Sequence, residues 1–321
     1  MTSPRTSDLI LAALSAQLDL EVITTSHRDH ARELGERARR EALDVVVTFG
    51  GDGTINEVVN GLMSGRALDH PVDEEPSGPI LAPIPGGSAN VFARALGLPR
   101  QPVEAAGEIL ASLGAGSVRW IGLGSVVVTD PEGSSVGRWF TANAGLGIDA
   151  GVIEAMEEQR AAGLTASPGR YLRTTVRQFL RGTDRSEPAL TLHRTDPTGD
   201  ELVEGVFWAI VQNTSPWTYL GGLPIDACPD ASFDTGLDVF ALRRMGLITA
   251  IRASRRLIAS SRAGSTKRSI TVWHDTDDVM IEADPPRPMQ VDGEGLGPVI
   301  RARLRAHPRA LATVQPLPDP E

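Results

Sequence analysis

Apolar positions fall into two textures along the chain. In the first third they recur at helical spacing between short, nearly continuous apolar runs. Leu9 to Leu20 has the periodicity of an amphipathic helix, Leu20 to Thr24 that of a strand, and Asp29 to Ala42 that of a helix dense in arginine and glutamate. Asp44 to Phe49 is rich in β-branched residues, which predicts a strand buried on both faces, as in a parallel sheet. Ile55, Val58, Val59 and Leu62 then give the next segment one apolar helical face. After an acidic, proline-bearing loop at His70 to Gly78, Pro79 to Pro85 predicts a second buried strand. Ala89 to Leu96 predicts a helix stopped by Gly97 and Pro99.

Beyond Gly114 strands succeed one another at Ser117–Ile121, Ser125–Thr129, Trp139–Asn143, Ala189–His193, Gly205–Gln212 and Asp278–Glu282, with turns between them. Two helical stretches interrupt this series, Glu154 to Arg181 and Leu247 to Ser261. The pattern predicts an α/β N-terminal domain with a parallel sheet over residues 1–114. A mainly antiparallel β C-terminal domain follows over 115–299, and a polar, proline-rich tail at 300–321 is free to rejoin the first domain.

Glycines stand at both predicted strand–helix junctions of the first domain. Gly50, Gly51 and Gly53 flank Asp52, and Thr54 is placed to cap the following helix; Gly86 and Gly87 are followed by a second candidate cap, Ser88. Strand, tight turn and helix in that order aim free backbone N–H groups at an anion, and two such units in succession predict a cradle for a polyphosphate. A glycine turn that merely closes a βα unit is the plainer alternative. Asp52 is itself negative and cannot attract phosphate, so its expected work is to hold Mg2+ beside the phosphates, through water. Thr25 is expected at a strand's carboxyl end, where open parallel sheets bind ligands.

Composition narrows the field. At 321 residues the chain is long enough for two domains, and a net charge of −10 argues against nonspecific nucleic-acid binding. No apolar stretch approaches the ~20 residues that span a bilayer. Asp8, Gln17 and Asp19 interrupt the first apolar segment, so a signal peptide is rejected and a cytoplasmic protein is expected. The single cysteine, Cys228, excludes an intramolecular disulfide and any multi-cysteine metal site. The single lysine, Lys267, follows no glycine loop, which excludes a Walker-type phosphate site. His27 and His30 invite a metal reading, but no third ligand is nearby. Arg170, Arg173, Arg177 and Arg181 form a basic stripe, and Arg252, Arg255 and Arg256 a second. Both fit solvated faces, and both fit docking to anionic lipid headgroups at about 1 kcal/mol per basic residue.

The run GGDGTINEVVNG at Gly50 to Gly61, with PGGSANVFARALGLP at Pro85 to Pro99, resembles the catalytic domain of the diacylglycerol kinase superfamily, in its bacterial lipid-kinase branch. The glycine run alone fits NAD kinases as well; Asn56, Glu57, Asn90, Phe92, Ala93 and Arg94 favour the lipid kinases. FTANAGLGIDAGV at Phe140 to Val152 is similar to a further family segment. Ser88 stands where the family usually has threonine, and Val91 where it often has aspartate. Family members generally begin with a strand ending in asparagine–proline, for which this sequence shows no counterpart.

The resemblance implies a diacylglycerol-kinase-like fold and an ATP- and Mg2+-dependent kinase acting on a hydroxyl of diacylglycerol or a related lipid. It further implies peripheral membrane contact, and a homodimer is compatible with it. Gly50, Gly51, Asp52, Gly53, Thr54, Asn56, Glu57, Gly87 and Ser88 would hold the nucleotide, with Thr25 nearby. In Val291-Asp292-Gly293-Glu294 the resemblance makes Glu294 the general base and Asp292 its electrostatic neighbour, although an Asp-Gly pair is also a plain hairpin turn. A metal ligand is implied at Asp234, within Asp234-Thr235-Gly236; Asp238 is the alternative, and an acidic turn without metal fits equally. Rival functions are an NAD kinase and a non-catalytic lipid- or nucleotide-binding module.

Overall fold

The computed structural model describes residues 4–68, 77–147, 188–196, 199–220, 223–244 and 269–318. Both predicted basic stripes and most of the acidic loop beginning at His70 lie outside them. The chain divides into two compact units: Met1–Ala67 with Val72–Gly122 and Arg309–Glu321, and Leu68–Pro71 with Leu123–Pro308.

The first unit is α/β. Its elements are α1 (Pro4–Ser15), α2 (His30–Arg40), β1 (Val45–Gly50), α3 (Asp52–Leu62), β2 (Ile80–Pro85), α4 (Val91–Ala95), α5 (Pro102–Gly114) and the start of β3 (Val118–Thr129). β1 and β2 pair in parallel, from Val45↔Ile80 to Gly50↔Pro85, as their apolar runs predict. Near the chain's end Thr313 pairs with Leu81, also in parallel. β2 is buried along nearly its whole length, whereas β1 is only half-buried and exposes Phe49. Both faces of β1 were expected to be buried. Among the described residues β1 pairs with β2 alone, so it lies at an edge where solvent reaches it.

α3 buries Ile55, Val58, Val59 and Leu62, the face read from their spacing. It packs against α2 at a crossing that admits only glycine: a Cβ on Gly35 would lie 2.5 Å from the Val58 carbonyl oxygen, and one on Gly61 would collide with the Arg32 carbonyl oxygen. The two backbones approach where side chains normally hold helices apart. α5 begins on Pro102, whose fixed φ suits a first helical position, and it packs on α1.

Two expectations fail in this unit. The first helix starts at Pro4, earlier than its apolar periodicity suggests, and Leu20 to Thr24 is not a strand. Those residues are irregular, with Val22 59% and Ile23 40% exposed. A strand needs a hydrogen-bonded neighbour, and this stretch is instead tied by Glu21 to Arg37 of α2, at 2.6 Å.

The second unit is mainly antiparallel. After the end of β3 come β4 (Ser135–Phe140), β5 (Asn143–Leu146), β6 (Leu190–Asp196), β7 (Gly199–Val206), β8 (Trp208–Gln212), β9 (Thr218–Leu220), β10 (Leu223–Ile225), β11 (Leu237–Leu242), β12 (Ile270–Thr276), β13 (Asp278–Val291) and β14 (Glu294–Val314). Within the unit the strands run β14–β13–β5–β8–β11–β12, with β6 beside β13 and β7 beside β6, β4 beside β3, and β9–β10 a separate pair. The core gathers Phe140, Leu146, Leu192, Val211, Val239, Trp273, Ile281 and Leu304.

Strand boundaries moved where the predicted segments were too short or too long. Ser117–Ile121 and Ser125–Thr129 are one strand, because the glycines between them continue it. Gly205–Gln212 is divided at Phe207, and Trp139–Asn143 breaks at Thr141–Ala142. No helix among the described residues is long and apolar enough to cross a membrane.

Candidate active site

The first unit brings its two glycine junctions side by side. Because β1 and β2 are parallel and in register through Gly50↔Pro85, their following loops leave the same end of the sheet. Gly86 N–H donates to the Gly50 carbonyl at 2.8 Å, continuing the ladder into the loops. A Cβ on Gly87 would stand 2.7 Å from the Gly51 Cα, and one on Gly86 would stand 3.1 Å from the Gly50 Cα. These glycines therefore have a structural cause of their own: the two loops touch backbone to backbone. Gly53 differs, since a Cβ there would meet nothing within 4 Å.

Helix starts sit elsewhere than the side chains suggested. α3 begins at Asp52 with Gly51 as its extended N-cap residue, so Thr54 lies inside the first turn and its hydroxyl folds back over Gly50. In the second loop the cap position is Asn90, held at φ 49; Ser88 lies exposed ahead of it. The Asn90 side chain closes that loop on itself, accepting from Gly87 N–H and donating to the Gly87 carbonyl, both at 2.8 Å. Its carbonyl accepts and its amide donates across the same short loop, and Asn tolerates the left-handed backbone.

Asp52 joins the two loops. Its Oδ1 accepts from Phe92 N–H at 3.1 Å, so the carboxylate stands between the first turns of α3 and α4. Both helix starts favour negative charge there. The N–H groups of Gly53 and Thr54 belong to α3's first turn and have no partner within the helix. Asn56 is turned inward, buried and bonded by Asn60 Nδ2 at 3.1 Å, while Glu57 is half-buried. Thr25 is exposed in the irregular stretch before α2 and follows no strand, because the predicted strand is not formed.

In the second unit Asp292 and Glu294 form a tight hairpin between β13 and β14. Asp292 and Gly293 have φ of 47 and 87, the two positive values of a type I′ turn. The Asp292 carboxylate accepts from Thr141 N–H at 2.7 Å, Thr141 Oγ1 at 2.9 Å, and the N–H groups of Ala142 and Asn143 at 2.9 Å each. The break between β4 and β5 thereby wraps around it. Gln290, two residues earlier on β13, accepts from Gly293 N–H at 2.7 Å and donates to Asn143 Oδ1 at 3.0 Å. Asn213 Nδ2 donates to the Thr141 carbonyl at 2.9 Å.

Glu294 is one-third exposed and meets Arg138 Nη2 of β4 at 2.5 Å. Arg138 compensates the carboxylate's charge and fixes its rotamer. Arg138, Thr141, Asn143 and Gln290 were missed in the sequence. Thr141 and Asn143 lie in a run noted only for its resemblance, and nothing local marks Arg138 as the partner of a residue 156 positions away.

Asp234 is exposed in a turn, its N–H donating to Ser232 Oγ at 3.2 Å. Asp238 is buried in β11 and bonded by His274 Nδ1 at 2.8 Å and Asp275 N–H at 3.1 Å. Burial pushes the Asp238 carboxyl up, against the pull of those bonds.

Residues 4–121 match the diacylglycerol kinase catalytic domain family. A diacylglycerol kinase of Bacillus subtilis is 42% identical over 103 residues, which are 32% of this chain and 29% of that protein. One from Staphylococcus haemolyticus is 36% identical over 92 residues, 29% of this chain and 25% of its own. The sequence likeness thus spans under a third of those relatives' length. A crystal structure of a diacylglycerol kinase from Bacillus anthracis strain Sterne has a TM-score of 0.68 at 20% identity, covering 97% of this chain and 90% of that one. At that identity the likeness shows the fold.

Proposed function

We propose, from the match of residues 4–121 to the diacylglycerol kinase catalytic domain family, that the chain is a member of that superfamily and an ATP-dependent lipid kinase. It would transfer the γ-phosphate to a hydroxyl of diacylglycerol or a related lipid. The observation that carries this reading is the pair of abutting loops at Gly50–Thr54 and Gly86–Asn90, which set two helix starts beside one carboxylate. N–H groups in the first turn of α3 are donors for phosphate oxygens, and Gly53 leaves room for a close approach.

Gly50, Gly51, Gly53, Thr54, Gly87 and Ser88 line the nucleotide in this proposal. Asn56 supports them from inside the helix, and Thr25 and Glu57 lie outside that shell. Asp52 is the carboxylate placed to hold Mg2+ through water, and one or two carboxylates with phosphates are the donor set that ion takes. When bound, the ion offsets phosphate charge. Asp234, exposed where Asp238 is buried, is the better candidate for a second ion.

A lipid hydroxyl is a poor nucleophile, and its proton must leave as the oxygen attacks phosphorus. Glu294 is the base that takes it, oriented by Arg138. Asp292, with its oxygens committed to the Thr141–Asn143 backbone, sets the hairpin that presents Glu294. A lipid acceptor also implies transient contact with a membrane surface.

The test is phosphate transfer from labelled ATP to mixed micelles of candidate lipids, with NAD as the competing acceptor. Glu294→Ala is expected to lower turnover about 10²- to 10⁴-fold while ATP still binds. Near-normal turnover would remove Glu294 from the reaction, and phosphorylation of NAD instead of lipid would replace the lipid-kinase reading.

A further inference from the structure

Before α2 the chain makes a left-handed turn at Asp29, φ 64, which folds His27 back over the helix start. The rings of His27 and His30 stack with centroids 4.7 Å apart and planes inclined by 14°. Glu33 follows His30 by three positions, on the same helical face, and supplies the third ligand that neighbouring sequence did not suggest. One nitrogen from each ring and one Glu33 carboxylate oxygen all lie within 4.8 Å of one another.

We propose that His27, His30 and Glu33 bind a divalent transition-metal ion of the zinc type. This site shares no residue with the glycine loops and stands independently of the kinase reading. Two imidazoles and a carboxylate are a donor set that zinc, cobalt and nickel accept and that magnesium, which prefers oxygen, does not. Bonds of about 2.0–2.1 Å to a tetrahedral ion place donor atoms about 3.3 Å apart. The three groups therefore need to close by roughly an ångström, and all three lie at or near the surface, where rotation costs little packing.

Hydrogen bonds already orient both rings. His27 Nδ1 faces the Arg28 carbonyl at 2.9 Å; a carbonyl only accepts, so that nitrogen carries the hydrogen and the Nε2 lone pair is available. His30 Nδ1 lies 3.1 Å from Ser26 N and 3.2 Å from Ser26 Oγ. Without metal it accepts from the Ser26 N–H. Binding through Nε2 requires a hydrogen on Nδ1, which Ser26 Oγ accepts, so the ion exchanges one Ser26 bond for another. Ser26 is thus a positioning residue for the ion. The start of α2 is the positive end of its dipole, and Glu33 in its first turn offsets that field. The ion would clamp the exposed stretch through Val22 and Ile23 onto α2, since His27 belongs to that stretch and the other two ligands to the helix.

Cobalt(II) titration of the chelator-treated full chain in excess Mg2+ tests the proposal, read by visible absorption. One ion per chain is expected in a low-coordinate site, displaceable by zinc. H27Q and H30Q should each weaken binding by at least about 100-fold, S26A by about 10- to 100-fold, and H274Q not at all. Zinc-edge X-ray absorption on the unmutated chain is the second measurement, and it is expected to count two imidazoles with oxygen. Absence of cobalt and zinc binding, binding unchanged in both H27Q and H30Q, or fewer than two imidazoles at the edge would overturn the site.

Discussion

Asp52 in the first unit and Asp292 in the second each follow a strand and stand beside glycine, yet they are held in different ways. Asp52 accepts from the backbone of a separate loop, Phe92 N–H, next to a helix turn whose own N–H groups point outward. Asp292 accepts four hydrogen bonds from three consecutive residues and is enclosed by the break between two strands. The first arrangement leaves donors for a ligand. The second consumes its donors and makes the turn rigid, so that its neighbour Glu294 is the side chain presented. A carboxylate in a glycine turn is thus a site in one unit and a strut in the other, and only the donors around it tell them apart.

Removing the strut should have the largest effect. Asp292→Ala leaves three backbone N–H groups without their acceptor and is expected to cost about 3–5 kcal/mol, read as a lower urea midpoint. Asp292→Asn, which keeps one acceptor oxygen, should fall between. If Asp292→Ala retained full stability and lost only turnover, Asp292 would join Glu294 as a reacting group.

A pH effect of about 3 kcal/mol is expected in the same unit. His307 is buried against Trp139, with Nε2 2.8 Å from Ser125 Oγ, and burial pushes its pKa down to about 4. The folded protein holds this ring neutral while the unfolded chain protonates it near 6.5, so the unfolded state binds more protons between those values. Its contribution is present above pH 6.5 and is lost as pH falls toward 4. Urea unfolding at several pH values should show the loss, and His307→Gln should flatten the slope over that window.

In the first unit Gly87→Ala should cost about 1–3 kcal/mol, because its Cβ would overlap the Gly51 Cα. Gly53→Ala should have the smallest effect on stability, a gain of under about 1 kcal/mol from helix propensity, since the added methyl meets open space. The two glycines sharpen the contrast between packing and binding. If Gly53 faces phosphate, Gly53→Ala weakens ATP binding in calorimetry without destabilising the fold; unchanged ATP affinity would leave the loops a packing device.

Local regularity carried much of the fold into the sequence. The parallel pair β1–β2, the apolar face of α3 and the antiparallel texture after Gly114 were legible because periodicity and β-branching act over a few residues. Helix starts were less so. Thr54 and Ser88 look like caps in one dimension, but Gly51 and Asn90 take those positions because the two loops must touch and only certain backbones allow it. Leu20–Thr24 shows the converse: strand-like residues with no sheet edge to complete remain irregular.

By itself the sequence determined the parallel strand pair and the apolar face of α3, that glycine turns follow both of those strands, and that an Asp-Gly hairpin lies near the end. Those outcomes depend on steric limits and side-chain periodicity within a few residues. Tertiary structure alone decided that Asp52 meets Phe92, that Asp292 anchors Thr141 to Asn143 and that Arg138 pairs with Glu294. Charge and hydrogen bonding act at a few ångströms, and folding brings within that range residues such as Arg138 and Glu294, which the chain keeps 156 positions apart.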